Sequence, residues 1–184
     1  MLEIIEFLKS IISYILIIAI VILIRIFVFA PIQVVGESME PKFYNGDMLL
    51  TEKVSGYLNK YKRFDIIVFK YNDPSYLVKR IIGLPGETVS FKNNTLYING
   101  EVVEQNFQIT GETDDYTFNG VIPDDMYFVA GDNRPVSYDS RYEGVGLISK
   151  NEIIGKAIFQ IWPFNDIKVV KWSKKDVKFW KLLL

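Results

Sequence analysis

The chain contains no cysteine and no histidine in 184 residues. Without cysteine it has no disulfide, no thiol nucleophile and no thiolate metal site, which suits an extracytoplasmic bacterial domain that does not rely on disulfides. Without histidine, a Ser-His-Asp triad, a Cys-His pair and the usual histidine-bearing zinc sites are all excluded. Acid–base chemistry, if present, falls to Asp, Glu, Lys or Tyr. A strongly basic stretch is also missing, and the net charge is −1. Nucleic acid is therefore not an expected partner, because its binding needs clustered Lys and Arg to displace counterions.

What the chain does have is one long apolar run. Residues Ile11 to Ala30 read IISYILIIAIVILIRIFVFA. At about 1.5 Å per residue this spans roughly 30 Å, the thickness of a bilayer core. Its one charge, Arg25, lies near the C-terminal end, where a long side chain snorkels to headgroups. A cleaved leader fits less well than a retained anchor. The preceding segment sets Glu3 and Glu6 against Lys9, and a Val28-x-Ala30 cleavage site would leave Pro31 directly after the cut. A buried core helix fits poorly too, since the run is apolar all round. Flanking cations are too few to set orientation by charge.

From Pro31 onward short β-branched and aromatic runs alternate with turn residues. Strands are expected at Ile32–Val35, Asp47–Lys53, Asp65–Lys70, Tyr76–Ile82, Thr88–Lys92, Thr95–Ile98, Met126–Ala130 and Ile153–Ile161. Asn99-Gly100 between apolar strands signals a type I′ hairpin, and Asn93-Asn94 turns the preceding pair. The expected organisation is an N-terminal tail (1–10), a transmembrane anchor (11–30) and a β-domain (31–184) that would carry any chemistry. The fold class is mainly β: a transmembrane helix followed by an antiparallel, barrel-like sheet. The Lys- and aromatic-rich tail KKDVKFWKLLL reads equally as a membrane-surface contact or a packed terminal element.

Three segments carry candidate chemistry. In VVGESMEPKFYNGD, Ser38 follows a strand and precedes a Pro-containing turn, with Gly36 permitting unusual backbone geometry. A lone serine there is usually a turn residue. In SYLVKRIIGLPGE, Lys79 shares a strand face with Leu77 and Ile81. Burial lowers a lysine pKa, and a neutral lysine can take a serine proton; otherwise Lys79 and Arg80 snorkel to solvent from an edge strand. In AGDNRPVSYDSRYEGVG, Asp132, Asn133, Arg134, Ser137, Asp139, Ser140 and Arg141 crowd one loop. Its carboxylates are few and lack EF-hand spacing, so no metal is expected.

Taken in order, GESMEP, RFDIIVF, YLVKRIIGLPGE and GDNRPVSYDSR after an N-terminal anchor resemble the signature boxes of type I signal peptidases in their Gram-positive-like form, membrane-bound Ser/Lys proteases. The resemblance covers nearly the whole chain. It implies Ser38 as nucleophile, Lys79 as general base, Ser137 as the lysine-orienting hydroxyl, and Asp139 with Arg141 as the pair supporting the site. The oxyanion would be held by the Ser38 N–H; where some relatives add a serine hydroxyl two positions before the nucleophile, this chain has Gly36, so a backbone amide or water would take that place. Substrate would add as a strand between Ile32–Gly36 and Tyr76–Val78, touching Ile32, Val34, Gly36, Met39, Tyr76, Leu77 and Val78. Phe64, Lys42 and Val136 replace the Gly, Thr and Asn common in these boxes. No cofactor is implied. The implied partners are preprotein signal peptides and the lipid bilayer, with the catalytic domain on the extracytoplasmic side of a single-pass cell-membrane protein. The alternatives are a dedicated processing peptidase of the same fold, a self-cleaving repressor-type relative, which the anchor disfavours, and a non-catalytic membrane-tethered β-domain.

Overall fold

In a computed structural model of the chain, residues 2–58, 60–72 and 75–170 are described. The expected tail element at 174–184 lies outside them. The chain opens with helix α1 (Leu2–Phe27). From Lys9 to Phe27 its mean hydropathy is 2.8 and none of it is buried in the fold, so it is long and apolar enough to cross a bilayer. The helix begins before the expected 11–30 run and stops short of its end, because Phe29 and Ala30 already belong to strand β1 (Phe29–Gln33). Two causes act together. Pro31 disfavours helical backbone at Ala30, and the sheet captures the exit: Lys53 N–H donates to the Val28 carbonyl at 2.9 Å. The Lys53 ammonium also caps the last turn by donating to the Ile26 carbonyl at 2.7 Å.

Eleven further strands follow: β2 (Met48–Glu52), β3 (Ile66–Lys70), β4 (Tyr76–Gly83), β5 (Val89–Lys92), β6 (Thr95–Ile98), β7 (Glu101–Val102), β8 (Tyr116–Thr117), β9 (Met126–Ala130), β10 (Ile148–Ser149), β11 (Ile153–Trp162) and β12 (Lys168–Val169). A single-turn helix, α2 (Val54–Tyr57), interrupts them. Each expected strand is present: Thr95–Ile98 and Met126–Ala130 keep their expected ends, and the others shift by one to three residues. The first moves most, to 29–33, because Val34 instead bonds the turn ahead of β2 through Asp47 and Gly46. Asn99 and Gly100 take φ 52° and 80°, and Asn93 and Asn94 take 48° and 62°. Both pairs adopt the left-handed backbone that a type I′ turn demands.

The strands form two antiparallel sheets. The larger runs β1-β2-β11-β3-β4-β9-β10 with β12 on β11, and the smaller runs β7-β6-β5-β8. β3 sits centrally and is buried on both faces, which explains its unbroken apolar sequence. Ile66 and Val68 face a core with Val34, Met39, Phe43, Leu49 and Val78. Ile67 and Phe69 face the opposite core with Tyr61, Ile81, Tyr127, Val129 and Ile148. A third core joins the smaller sheet to β9 through Phe91, Leu96, Ile122 and Phe128.

Two of the open backbone edges in the larger sheet lie at its β1 end and along β4. β1 ends the sheet order. β4 pairs with β3 along Tyr76–Arg80, whereas β9 joins it only from Arg80 onward. The outer edge of residues 76–78 is therefore unpaired among the described residues.

Where β11 crosses from β3 to β2, a Cβ on Gly155 would stand 2.6 Å from the Glu52 carbonyl oxygen. Backbone cannot swing aside as a side chain can. Gly155→Ala is expected to lower unfolding free energy by about 2 kcal/mol, read from urea denaturation of the detergent-solubilised chain.

Candidate active site

The loop after β9 begins at Gly131, where several polar groups converge. The Gly131 N–H donates to Ser137 Oγ at 3.1 Å and to Asp139 Oδ2 at 3.0 Å. Ser137 in turn donates its hydroxyl hydrogen to Asp139 Oδ2 at 2.6 Å. A Cβ at Gly131 would collide with Ser137 Oγ and with the Ser38 carbonyl oxygen. Only glycine lets these two segments meet.

Asp139 and Ser137 are sealed from solvent at 0% and 1% exposure. Burial raises the Asp139 carboxyl, but hydrogen bonds from Arg141, Ser137 and the Gly131 N–H outweigh it and hold it below the ordinary range. Arg141 grips both carboxylate oxygens, at 2.8 and 2.9 Å, and donates to the Arg134 carbonyl at 2.9 Å. Asp139 therefore stays ionised and fixes Ser137 so that its oxygen is left only as an acceptor.

Lys79 and Arg80 leave β4 on opposite faces, and both are buried, at 1% and 7% exposure. Neither snorkels, because this part of β4 lies inside the sheet. Their neutralisation differs. Arg80 makes a two-pronged pair with Asp132, donates to the Phe64 carbonyl at 2.9 Å and stacks 4.0 Å from the Phe107 ring centre. Lys79 faces Ile67 across the β3 ladder. Among the described residues it belongs to no ion pair. Burial lowers its pKa from 10.5 to about 8; Arg141 acts in the same direction, while Asp139 and Asp132 pull upward. The register pairs Arg80 with Ala130. One further step brings Lys79 abreast of Gly131, the point where Ser38, Ser137 and Asp139 meet.

Ser38 lies in the turn after β1, half-buried. Its carbonyl accepts from the Asn133 N–H at 3.0 Å, and the neighbouring Glu37 carbonyl accepts from Asn133 Nδ2 at 3.2 Å. The Ser38 N–H donates to no described residue. In the Gly36 region, where a backbone amide or water is expected as the second donor, the Gly36 N–H donates to Asn45 Oδ1 at 3.0 Å. Gly36 has φ 91°, a backbone that excludes most side chains.

Of the residues expected to contact substrate, Val34, Met39 and Val78 form one apolar cluster with Ile32 against it. Tyr76 is exposed at the start of the open β4 edge. Leu77 turns to the other face and packs against the core of Ile67 and Ile81, so only its backbone borders that edge. The sequence places Asn133 in the polar loop and Gly131 at its start but assigns neither a contact; the structure puts Gly131 against the Ser38 carbonyl and Ser137, and Asn133 on the Glu37 and Ser38 carbonyls.

The model of the family described as signal peptidase, peptidase S26, matches residues 4–162. The chain belongs to that family. Signal peptidase I of Bacillus amyloliquefaciens is 42% identical over 168 residues, covering 86% of this chain and 90% of the relative. Signal peptidase I S of Bacillus subtilis (strain 168) is 40% identical over 178 residues, covering 90% and 93%. Signal peptidase IB of Staphylococcus aureus (strain COL) is 35% identical over 180 residues, covering 89% and 93%. A crystal structure of a signal peptidase I from Enterococcus faecalis V583 is 38% identical, with a TM-score of 0.46, covering 53% of this chain and 96% of that one. S26 peptidases are serine endopeptidases, which sets aside the non-catalytic reading. The family frame also gives Phe64 a meaning. It stands at φ 71°, so glycine suits this position on backbone grounds. Phenylalanine here offsets the strain by packing its ring 5.2 Å from Phe107.

The buried lysine has a thermodynamic signature. Its folded pKa, about 8, lies below the ordinary lysine value of 10.5. Folding therefore pays for a desolvated charge at neutral pH, and that cost fades as pH rises from 8 toward 10.5. Lys79→Met is expected to be more stable than wild type at pH 7 by roughly 3 kcal/mol, with the gap shrinking at pH 10, measured by urea unfolding at both pH values.

Proposed function

We propose that this chain is a membrane-anchored endopeptidase that removes signal peptides from secreted preproteins, with Ser38 as nucleophile and Lys79 as general base. The observation that carries this reading is Lys79: a lysine 1% exposed, without an ion partner among the described residues, one register step from the loop that binds the Ser38 carbonyl.

Neutral Lys79 Nζ accepts the Ser38 hydroxyl proton as Oγ attacks the scissile carbonyl. The Ser38 N–H, without a partner among the described residues, stabilises the oxyanion. Collapse breaks the C–N bond, and the Lys79 proton passes to the leaving amine, which is the new N-terminus of the mature protein. Water then gives its proton to Lys79 and attacks the ester; Ser38 recovers its hydrogen as the signal peptide leaves as an acid. Ser137, its own hydrogen committed to Asp139, accepts from Lys79 and turns the amine lone pair toward Ser38. Asp139 and Arg141 hold Ser137.

The signal peptide adds as a strand between the Ile32–Gly36 segment and the open edge of Tyr76–Val78. The Val34, Met39 and Val78 cluster bounds small apolar pockets suited to Ala-x-Ala. Helix α1 spans the cell membrane once and keeps the domain on the extracytoplasmic side. This concentrates the cleft where its membrane-inserted substrates lie. A peptidase dedicated to one substrate class would share all of these features.

Detergent-solubilised protein is expected to cleave preproteins after Ala-x-Ala. Ser38→Ala and Lys79→Met should each reduce this to background, and wild-type rates in either variant would contradict the nucleophile and base assignments. Because the base works when neutral, kcat/KM should rise with pH to a plateau, with an apparent pKa near 8. A panel of signal peptides separates a general from a dedicated peptidase.

A further inference from the structure

The Ser38 N–H can serve the oxyanion only if its peptide plane faces the cleft, and two donors hold that plane at the Glu37 carbonyl: the Glu40 N–H within the turn at 3.1 Å, and the Asn133 side chain from outside it. In a trans peptide the carbonyl of Glu37 and the N–H of Ser38 point in opposite directions. Asn133 Nδ2 holds the Glu37 carbonyl at 3.2 Å, and the Asn133 N–H holds the Ser38 carbonyl at 3.0 Å. Both grips lie on the same side, that of the loop after β9. The Ser38 N–H is thereby turned away from that loop and left without a partner among the described residues.

Asn133 is itself well anchored. It is 8% exposed and lies in a parallel bridge with Thr110. The flanking bonds are Thr110 N–H to the Asp132 carbonyl at 2.9 Å and Arg134 N–H to the Thr110 carbonyl at 3.0 Å. The buried Arg134 side chain fixes the next turn by donating to the Gly131 carbonyl at 2.9 Å and to Thr113 Oγ1 at 2.9 Å. From the other side the turn is held one residue further back, by the Gly36 N–H donating to Asn45 Oδ1 at 3.0 Å. Gly36 is exposed and in a left-handed conformation at φ 91°, so the peptide next to Ser38 has a permissive neighbour, and the Asn133 amide adds an external clamp to the turn's own Glu40 bond.

We propose that Asn133 is a positioning residue for the oxyanion hole: its side-chain amide keeps the Glu37–Ser38 peptide from flipping, so that the Ser38 N–H stays aimed at the reacting carbonyl. This rests on Ser38 being the nucleophile. Asn133 touches neither substrate nor Lys79 in this role. Its loss should weaken transition-state stabilisation while sparing substrate binding and the lysine titration.

The test compares full-length, detergent-solubilised wild type with Asn133→Ala and Asn133→Asp. The aspartate keeps the shape but sets an acceptor against the Glu37 carbonyl, and it provides a second variant should the alanine fail to fold. The substrate is a preprotein cleaved by wild type and not by Ser38→Ala; without that difference the nucleophile assignment fails, independently of Asn133. The expected result is a kcat lowered roughly 10- to 100-fold in both variants, with KM within about twofold. The apparent pKa of kcat/KM should stay at the wild-type value. Affinity for a peptide aldehyde, whose hemiacetal oxygen occupies the oxyanion position, should fall by about the same factor as kcat. Wild-type kcat in either folded variant overturns the proposal. So does a loss of kcat with unchanged aldehyde affinity or a displaced pKa, because Asn133 would then act on Lys79 or on the fold.

Discussion

Everything in this site depends on keeping Lys79 out of water without giving it a counter-ion. An ammonium in an apolar setting loses hydration worth several kcal/mol, and a carboxylate in contact would restore the charged form. The sheet denies it that partner. The nearby carboxylates are committed elsewhere: Asp132 to Arg80 and Asp139 to Arg141. Two adjacent cations on one strand thus meet opposite fates. Arg80 is charged, paired and structural, whereas Lys79 is lowered toward neutrality.

The same loop that withholds its carboxylates also organises the proposed nucleophile. Gly131 gives the close approach, Ser137 and Asp139 accept its N–H, and Asn133 takes hold of the Glu37 and Ser38 carbonyls. A serine on an irregular turn is thereby tied to a lysine on a regular strand through backbone contacts. The rigidity originates in the β3–β4–β9 ladder, which is buried on both faces. Beside it, the open edges of β1 and of residues 76–78 leave room for an added strand without disturbing the core.

Much of this is legible in the sequence. The strand pattern survives because alternation and turn residues are local signals; Asn93-Asn94 and Asn99-Gly100 adopt the backbone their chemistry favours. The absence of histidine and the apolar neighbours of Lys79 point to lysine before the fold is known. Other features are hidden for physical reasons. Strands of two residues, such as β8 and β10, carry no periodicity. The end of α1 is set by Lys53, 27 residues further along the chain from Ile26. The use of the Gly36 N–H by Asn45 is a contact across a turn that no spacing rule announces. Burial of Arg80 requires knowing that Asp132, 52 residues away, lies alongside.

The proposed chemistry stands or falls on Lys79 being neutral over a substantial part of the working pH range. The most direct measurement is a heteronuclear NMR titration of the Lys79 side chain, assigned by comparison with Lys79→Met, in the detergent-solubilised protein. A midpoint near 8 is expected, set apart from the remaining lysines. A midpoint at 10 or above would mean that Lys79 stays charged at neutral pH, which contradicts its role as the base.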